Sequence, residues 1–357
     1  MLLIKNKKND FFKLFDIFLK ESEKGKRVQK NGRRVRDSSI KPYVYLRKLL
    51  FDFSVKKNFP LHIYSVASLK KRELQAEKKY WARFYTEFTD YLYKDCDCYD
   101  NYVGSNIKRL RAFFNYLNEE KEMGVGSFHK KFYAHSEEIE IITLIPEQLN
   151  FLIYNTEFEE ALPEHLKQTK DMFVFGCTVA LRVSDIFKLS KNNIESLNEK
   201  HYLKVRSQKT NTLTRIILPD YAMDIINKYN KTKKTIFPEI SNARFNLNIK
   251  SLIEKTEWTD EQIKTRQKRG QTVIVYKNQK TKEPYRFCDL ITSHTMRRTA
   301  ITTMLCLHMP ENLVKKISGH AAGSKEFFRY VELSQKYMDN ETEKIHDQIK
   351  NKKLIYQ

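Results

Sequence analysis

The last third of the chain contains three short segments whose side chains could act together on a phosphodiester. They read Ser-His-Thr-Met-Arg-Arg at 293–298, Ser-Gly-His at 318–320 and Arg-Tyr at 329–330, and an earlier Leu-Arg-Val-Ser-Asp occupies 181–185. Arginine binds phosphate oxygens with paired donors, histidine moves protons, and tyrosine can attack as a nucleophile. The set is therefore suited to cutting a phosphodiester with a tyrosine.

The segment at 293–298 predicts an anion site on physical grounds alone. Ser293 is a favourable helix N-cap, and His294 and Arg297 are three residues apart, on one face of the first turns. A helix N-terminus carries partial positive charge, so a basic first turn is unfavourable unless an anion compensates it. We therefore expect a phosphate ligand at this helix start.

The other candidate residues each have a structural explanation as well. Arg182 follows a long apolar run, where an unpaired guanidinium would be costly, so it must bind an anion or pair with Asp185. Lys209 lies at the tip of a predicted hairpin, where lysines are usually solvated. His320 follows a glycine that would end a helix, so it could cap that helix. Tyr330 lies in an aromatic run that is typical of a core.

Helical periodicity dominates the first part of the chain. It predicts a small helical bundle over residues 1–135, with helices near 11–19, 43–53, 77–93 and 101–117. A basic loop at 24–36 joins the first two helices, and it is either a phosphate-binding loop or a solvated connector. The candidate DNA-contacting residues of this bundle are Lys26, Arg27, Arg33, Arg34, Arg36, Lys108, Arg109 and Arg111.

A break in periodicity at about 125–140 predicts a domain boundary, and residues 140–357 form the second predicted domain. Helices are predicted after Pro146 and Pro163, from Ser293, from Pro310 to Gly319 and, as a short helix, around Tyr330. Alternating patterns predict two strand pairs, which are 202–206 with 213–218 and 271–276 with 285–288. The fold class is therefore mainly α with small β-hairpins.

Composition restricts the partner and the compartment. The formal net charge is +22 over 357 residues, which favours a nucleic-acid partner, although solvated lysine faces would give the same total. Five cysteines, an odd number, argue against a disulfide framework and for a reducing compartment. Cys96 and Cys98 are a weak metal motif, and a surface loop is the simpler explanation. No signal peptide or membrane span is recognisable, so a cytoplasmic location is expected.

Over roughly residues 140–345 these motifs resemble the tyrosine recombinase (phage integrase) family. The matching positions, in the family's order, are Arg182 in Ala-Leu-Arg-Val-Ser-Asp, Lys209 on the hairpin, His294 and Arg297 in His-x-x-Arg, His320 in Gly-His, and Tyr330. Each motif alone is weak, but together they are a strong signal. The resemblance implies an N-terminal helical core-binding (SAM-like) bundle at 1–135 and a C-terminal mixed α/β tyrosine recombinase catalytic domain at 140–357.

The resemblance also implies a function, that of a site-specific DNA recombinase acting in integration, excision or inversion. Arg182 and Arg297 would clamp the non-bridging phosphate oxygens. His294 and His320 would supply donors and manage protons, and Lys209 would protonate the departing 5′-oxygen. No metal, ATP or other cofactor is implied.

Tyr330 is the nucleophile that the resemblance implies, and its attack would form a 3′-phosphotyrosyl link. Two features depart from the family's pattern. Ser318 precedes the Gly-His where leucine is usual, and the interval from His320 to Tyr330 is one residue longer than the commonest spacing. Tyr337 is therefore the fallback nucleophile.

The implied partner is double-stranded DNA with an inverted-repeat core site. It would be bound by a tetramer in which the tail at 339–357 passes to a neighbouring protomer. DNA-bending accessory proteins, a location in the bacterial nucleoid and a mobile element similar to those of Bacteroidetes-like bacteria are further implications. Helical periodicity begins near Asp10, so no arm-binding domain is expected ahead of the bundle.

Three alternatives stay open at the level of sequence. A type IB topoisomerase-like enzyme would share the same site and relax supercoils without a paired DNA site. A catalytically silent DNA-binding relative would keep the charge without the full catalytic set. A metal nuclease using the histidines would be inhibited by chelators.

Overall fold

A computed structural model describes residues 8–28, 32–206, 212–229, 235–321 and 323–353. The chain divides into two compact units. The first comprises Met1–Ile139 and Thr265–Val275, and the second comprises Glu140–Lys264 and Tyr276–Gln357. The division after Ile139 lies beside the boundary expected from the sequence. The segment Thr265–Val275, which the sequence placed in the second domain, belongs to the first unit.

The described residues form helices and short strands in the following order. The helices are α1 (Phe11–Glu23), α2 (Asp37–Lys56), α3 (Lys71–Asp90), α4 (Asp100–Glu119), α5 (Pro146–Tyr154), α6 (Thr156–Ala161), α7 (Glu164–Val179), α8 (Val183–Ile186), α9 (Asp220–Lys228), α10 (Asn242–Glu254), α11 (Phe287–Leu290), α12 (Ser293–Cys306), α13 (Glu311–Ser318) and α14 (Lys325–Lys353). The strands are β1 (Lys8–Asp10), β2 (His62–Tyr64), β3 (Ile194–Leu197), β4 (Lys200–Arg206), β5 (Leu213–Leu218), β6 (Glu261–Gln262), β7 (Lys264–Lys268), β8 (Gln271–Val275) and β9 (Tyr285–Arg286). The predicted fold class, mainly α with small antiparallel sheets, is confirmed.

Aromatic rings build the core of the first unit, and the four helices predicted there are present as α1 to α4. Phe15, Phe18 and Phe113 are fully buried, with ring centroids 4.5 to 5.6 Å apart. Trp81 is 1 % exposed and donates its indole N–H to Glu77 at 2.8 Å. Because each such ring removes a large apolar area from water, aromatic burial is the main stabilising term of this bundle.

A hairpin from late in the sequence completes the first unit. β7 and β8 are joined by Arg269 and Gly270, whose positive φ angles of 56° and 76° make a tight two-residue turn. Asp100 accepts the backbone N–H groups of both turn residues, at 2.7 and 2.8 Å. Glu137 accepts a hydrogen bond from Arg266 at 2.7 Å. The hairpin is therefore held by carboxylates of the bundle.

The strand pairing agrees with one prediction and corrects another. β4 and β5 form the predicted hairpin, and β3 adds a third antiparallel strand. The predicted pairing of 271–276 with 285–288 is wrong, because β8 pairs with β7 and β9 pairs with β6. The tight turn at Gly270 returns the chain at once, so β8 meets the strand before it, and residues 287–290 are helical.

The second unit is organised around α7, which is apolar on nearly all sides, as predicted. Its residues Met172 to Phe175 are at most 3 % exposed. A Cβ added at Gly176 would lie 2.5 Å from the sulfur of Met296 on α12, so glycine allows the two helices to approach closely. The chain leaves α7 at Ala180 in a left-handed conformation, with φ of 53°, and Arg182 becomes the N-cap residue of α8. The packing of α7 thus fixes the position of Arg182 at the start of α8.

Three helices near the C-terminus place the remaining candidate residues. The N-cap of α12 is Thr292 and not Ser293, and the N–H of Thr292 donates to Thr295 Oγ1 at 3.0 Å. α13 ends at Gly319, with φ of 66°, as predicted. The helix that carries Tyr330 is not short, since α14 runs for 29 residues.

Within the described part of the chain, no helix is both long and apolar enough to cross a membrane.

Candidate active site

Arg297 lies in the interior of the second unit, on α12, and is 4 % exposed. Its Nη1 donates to the carbonyl oxygen of Ala180 at 2.8 Å, and its Nη2 donates to that of Ser318 at 2.5 Å. Burial and the positive charge of Arg182 lower the pKa of Arg297 to about 10. These two acceptors are neutral, so the guanidinium can still attract an anion.

The start of α12 differs from the expectation of a bare helix N-terminus. The N–H of Ser293 donates to Asn246 Oδ1 at 2.8 Å, and its hydroxyl donates to Asn242 Oδ1 at 3.1 Å. His294 is exposed on the first turn, whereas Arg297 is buried. The attraction for an anion therefore comes from the side-chain cations more than from the first amide of the helix.

Arg182 and His294 lie close to the same group of cations. Arg182 is half-buried, and its charge lowers the pKa of both His294 and Arg297. Although part of the His294 side chain reaches the surface, the protein around its ring removes some of its hydration, which lowers its pKa, and the charges of Arg298 and Arg297 lower it further. Positive charges gathered in this way favour the neutral imidazole, and a bound phosphate would relieve their mutual repulsion.

His320 lies just beyond the C-cap of α13. Its backbone N–H caps the helix by donating to Lys315 O at 3.0 Å. The side chain makes a separate contact, since Nδ1 lies 2.8 Å from Ser318 Oγ and 3.5 Å from Arg297 Nη2. Burial and the charge of Arg297 lower the pKa of His320 to about 4. The imidazole is therefore neutral at neutral pH.

Tyr330 is 1 % exposed and packs against the same histidine. The ring centroids of Tyr330 and His320 are 6.0 Å apart. Burial raises the pKa of Tyr330, and Glu326 raises it further, whereas the charges of Arg298 and Arg297 oppose that rise. Despite the longer interval from His320, Tyr330 therefore lies beside the histidine and two arginines.

Arg298 is the residue of this cluster that sequence reasoning missed. Its side chain is within hydrogen-bonding reach of Tyr330, and its charge lowers the pKa of both Tyr330 and His294. Its Nε is buried and has no hydrogen-bond partner among the described residues. The sequence offers one signal only, the Arg-Arg dipeptide, and the direction of the second side chain depends on how α12 packs.

Two other candidates have different outcomes. Lys209 lies outside the described residues, between β4 and β5. The fallback nucleophile, Tyr337, donates its hydroxyl to Glu147 Oε1 at 3.0 Å. The aromatic contacts of His320 are with Phe327 and Tyr330, so the geometry favours Tyr330 over Tyr337.

The basic residues of the first unit fall into two groups. Arg27 lies 4.0 Å above the Phe18 ring and donates to Ser22 at 2.9 Å. Arg109 donates to Asn106 Oδ1 at 3.2 Å, and Arg111 donates to the carbonyl oxygens of residues 129 and 130. These three side chains have structural roles. The exposed members of the set are Lys26, Arg33, Arg34, Arg36 and Lys108.

The weak metal motif at Cys96 and Cys98 has a packing role. Both residues lie in the loop that precedes α4, as the sequence indicated, and their side chains are half-buried against the aromatic core of the first unit. Burial raises the pKa of Cys98 to about 11. In the part of the chain that the structure describes, no three or more His, Cys, Asp or Glu side chains are grouped to hold a metal ion.

Solved structures with the same fold are DNA recombinases. A lambda integrase dimer bound to a COC′ core site matches with a TM-score of 0.58 and 12% identity, over 91% of this chain and 78% of that chain. XerH site-specific recombinase bound to palindromic difH substrate gives 0.59 and 11%, over 96% and 90%. The Tn1549 transposon integrase (aa 82–397) in complex with circular intermediate DNA gives 0.52 and 12%, over 89% and 94%. At these identities the likeness shows the fold.

Family membership rests on the sequence. No curated protein has a matching sequence. The model of the phage integrase family matches residues 147–336, which is more than half of the chain, and favours recombination over the topoisomerase-like and catalytically silent alternatives. The chain therefore belongs to the phage integrase family, the tyrosine recombinases, and is a site-specific recombinase that cuts and rejoins DNA.

Proposed function

We propose that this recombinase cuts DNA with Tyr330, holds the cut end as a 3′-phosphotyrosyl bond, and exchanges strands between two copies of an inverted-repeat core site. The observation that carries the proposal is the convergence of Arg297, His320 and Tyr330, which three separate elements bring into one buried cluster. The reaction requires a phosphate-binding cation, a neutral imidazole and a phenol close to one another.

The transition state explains the excess of positive charge. Attack on phosphorus places additional negative charge on the non-bridging oxygens, and fixed cations stabilise that charge in a water-poor site. Arg297 is held by two backbone carbonyls and Arg182 lies close to it. We assign these two residues as the oxygen clamp, with His294 as a further donor at its exposed edge.

The reaction is balanced without a cofactor. The phenol of Tyr330 gives up its proton to a base of the site as the bond from its Oη to phosphorus forms. The bond from phosphorus to the 5′-oxygen breaks, and the departing oxygen takes up a proton. Lys209 is the proposed general acid for that proton. Attack by a free 5′-hydroxyl of the partner duplex then releases the tyrosine, so the energy of the phosphodiester is conserved and ATP is not needed.

The burial of Tyr330 has a consequence for regulation of the reaction. Its side chain is 1 % exposed, so the hydroxyl must be uncovered before it can reach a phosphate. We expect DNA binding to shift the first turns of α14, where Tyr330 and Glu326 lie. The resting enzyme would then have a protected nucleophile.

The DNA partner is proposed from charge and exposure. Lys26, Arg33, Arg34, Arg36 and Lys108 are exposed in the first unit, and exposed lysines and arginines bind phosphates through counterion release. A duplex with two inverted half-sites would be bound by two protomers. A nucleoid location, a mobile element as the source and accessory DNA-bending proteins belong to the same proposal.

The tail of α14 supports assembly into a tetramer. Ile345 and Ile349 are four residues apart on one face, and they are 55 % and 58 % exposed. The second unit also contains an open apolar groove of about 480 Å³, lined in part by Leu213, Ile217 and Leu313. We propose that this groove accepts the tail of a neighbouring protomer. Ile345→Asp should lower the mass of the DNA complex in light scattering and leave binding to one half-site unchanged.

A nicked suicide DNA substrate tests the nucleophile directly. In the presence of a chelator, the wild-type protein should form a covalent DNA adduct that survives boiling and maps to the 3′ side of the cut. Tyr330→Phe should abolish the adduct and retain DNA binding, whereas Tyr337→Phe is the matched control and should still form it. An adduct that persists in Tyr330→Phe and disappears in Tyr337→Phe would reassign the nucleophile.

The same preparation tests exchange between sites. Two duplexes with the cognate inverted repeat should give recombinant products, and removal of one half-site should stop the reaction. Relaxation of supercoiled DNA that needs no defined site would contradict the proposal and favour topoisomerase-like activity. Loss of cutting in chelator would instead indicate a metal nuclease.

A further inference from the structure

Ser318, the residue that departs from the family's usual leucine, contacts His320 directly. Its side chain is 2 % exposed at the end of α13. Its Oγ lies 2.6 Å from the carbonyl oxygen of Val314 and 2.8 Å from Nδ1 of His320. Both distances are those of good hydrogen bonds.

These two contacts determine where the protons lie. A serine has one hydroxyl hydrogen, and two oxygens 2.6 Å apart repel each other unless a hydrogen lies between them. The hydroxyl of Ser318 must therefore donate to Val314 O. Its lone pair then faces Nδ1 of His320, so the proton of that contact belongs to Nδ1. Arg297 Nη2, at 3.5 Å, is too distant to reverse this assignment.

A neutral imidazole carries one proton on its two nitrogens. With that proton on Nδ1, the opposite nitrogen, Nε2, has a free lone pair and accepts protons. The neighbouring Tyr330 must lose a proton when it attacks, and its ring centroid is 6.0 Å from that of His320. The two rings are therefore neighbours, and we expect the movement of α14 that uncovers Tyr330 to bring its hydroxyl within reach of Nε2.

We propose that Ser318 is a positioning residue that fixes the tautomer of His320, so that Nε2 of His320 accepts the proton of Tyr330 during attack on phosphorus. The step is balanced: the Oη–P bond forms, the P–O5′ bond breaks, the tyrosine proton passes to Nε2, and the general acid supplies a different proton to O5′. This role of His320 rests on the proposed function, whereas the tautomer rests on geometry alone.

The surroundings of His320 keep the acceptor form available. The charged and titratable groups that face it are Arg182 before α8, His294 and Arg297 on α12, and Glu326 and Tyr330 on α14. Burial and the charge of Arg297 lower the pKa of His320 to about 4, although Glu326 opposes this. The imidazole is therefore neutral before DNA binds, and the negative charge of a bound phosphate, which raises the pKa of a histidine, would make Nε2 a stronger proton acceptor.

Nuclear magnetic resonance of the wild-type protein tests the tautomer without any activity measurement. The full chain, labelled with ¹⁵N-histidine, is examined by two-bond ¹H–¹⁵N correlation at pH 7, and His320→Gln identifies the signals of His320. We expect a protonated Nδ1 and an unprotonated Nε2. A protonated Nε2 in the wild-type protein would overturn the proposal.

Kinetics of adduct formation on the suicide substrate test the consequence. Ser318→Ala should slow adduct formation on the order of 10- to 100-fold, part of what a general base contributes, with an unchanged Kd for DNA. The deficit should narrow as pH rises, because an ionised tyrosine needs no base. Ser318→Thr keeps the hydroxyl and should restore the rate.

Ser334→Ala is the matched control, because Ser334 is also 2 % exposed and donates to a backbone carbonyl of its own helix, that of Val331, at 2.8 Å. Equal slowing in Ser318→Ala and Ser334→Ala at every pH would reduce Ser318 to a packing role and refute the proposal. Absence of an adduct with the wild-type protein would contradict the proposed function. The magnetic resonance experiment would still determine the tautomer of His320.

Discussion

The two units place an arginine in opposite electrostatic settings. In the first unit, Arg266 is paired with Glu137 at 2.7 Å, and the side chain of Glu137 is 1 % exposed. In the second unit, Arg297 donates to two neutral carbonyls and the charge of Arg182 lies close to it. The carboxylates of Asp185 and Glu326 act on Arg297 from a distance, without a salt bridge to it among the described residues. The first arrangement compensates a buried charge. The second leaves positive charge for a ligand to compensate.

This difference teaches how a structural cation is distinguished from a functional one. Burial is costly for any charge, and a carboxylate partner offsets that cost within the fold. Where like charges are gathered instead, the fold carries an electrostatic strain that an incoming phosphate would relieve. Removing a structural arginine should therefore reduce stability, and removing a functional one should reduce catalysis.

The largest expected effect is the loss of catalysis in Arg297→Lys. Lysine keeps the charge but cannot reproduce the paired donors, so adduct formation should slow on the order of 10²- to 10³-fold, as for loss of an oxyanion-hole donor. The rate is measured on the suicide substrate at saturating protein. Arg266→Lys is the matched change in the other unit and should leave the rate unaltered. A smaller effect for Arg297→Lys than for Arg266→Lys would refute the distinction.

Loss of stability in Arg266→Met should come next. It leaves the carboxylate of Glu137 buried without its cation, which costs on the order of 3 to 5 kcal/mol. The free energy of unfolding is measured by urea titration. Arg83→Met removes an exposed pair with Glu87, whose arginine side chain is 69% exposed, and should cost less than about 1 kcal/mol. Equal costs for the two variants would mean that burial of Glu137 has no influence.

Acid should destabilise the first unit through one buried histidine. His129 is 2 % exposed, and burial, with the charges of Lys130 and Arg111, lowers its pKa to about 4 from 6.5. The folded state therefore favours neutral His129, and its contribution to stability is complete above pH 6.5 and is lost as pH falls toward 4.

The expected loss between pH 7 and pH 4.5 is about 2 to 3 kcal/mol. Urea unfolding of the wild-type protein and His129→Gln at both pH values measures it, and the variant should lose less stability on acidification. His308→Gln changes an exposed histidine and should behave as the wild type. Identical acid dependence in all three proteins would exclude His129 as the cause.

The smallest expected effect concerns DNA affinity in the first unit. Lys108 is exposed, whereas Arg111 donates to backbone carbonyls of residues 129 and 130. Lys108→Ala should weaken DNA binding by roughly 1 kcal/mol or less and reduce the slope of log Kd against log salt concentration by about 1. Arg111→Ala should lower the unfolding temperature and leave that slope unchanged. The opposite pattern would exchange the roles of the two residues.

Local patterns predicted much of the fold. α1 to α4, α7 and the β4–β5 hairpin follow from side-chain spacing within a turn or a strand, and Gly319 ends α13 because glycine readily adopts the left-handed conformation there. The sequence placed Ser293 at the N-cap and paired β8 with the wrong strand. In each case two candidates close in the sequence have similar local propensities, for capping a helix or for pairing with a strand. Long-range packing decides between them.

The sequence by itself therefore determined the helices, one hairpin, the basic charge and the order of the motifs, because each depends on residues close in the chain. Only the tertiary structure decided that Glu137 meets Arg266, 129 residues away, that Arg298 faces Tyr330, and that Ser318 holds Nδ1 of His320. Such partners depend on how α12, α13 and α14 pack, and no local periodicity encodes the direction of a single polar side chain.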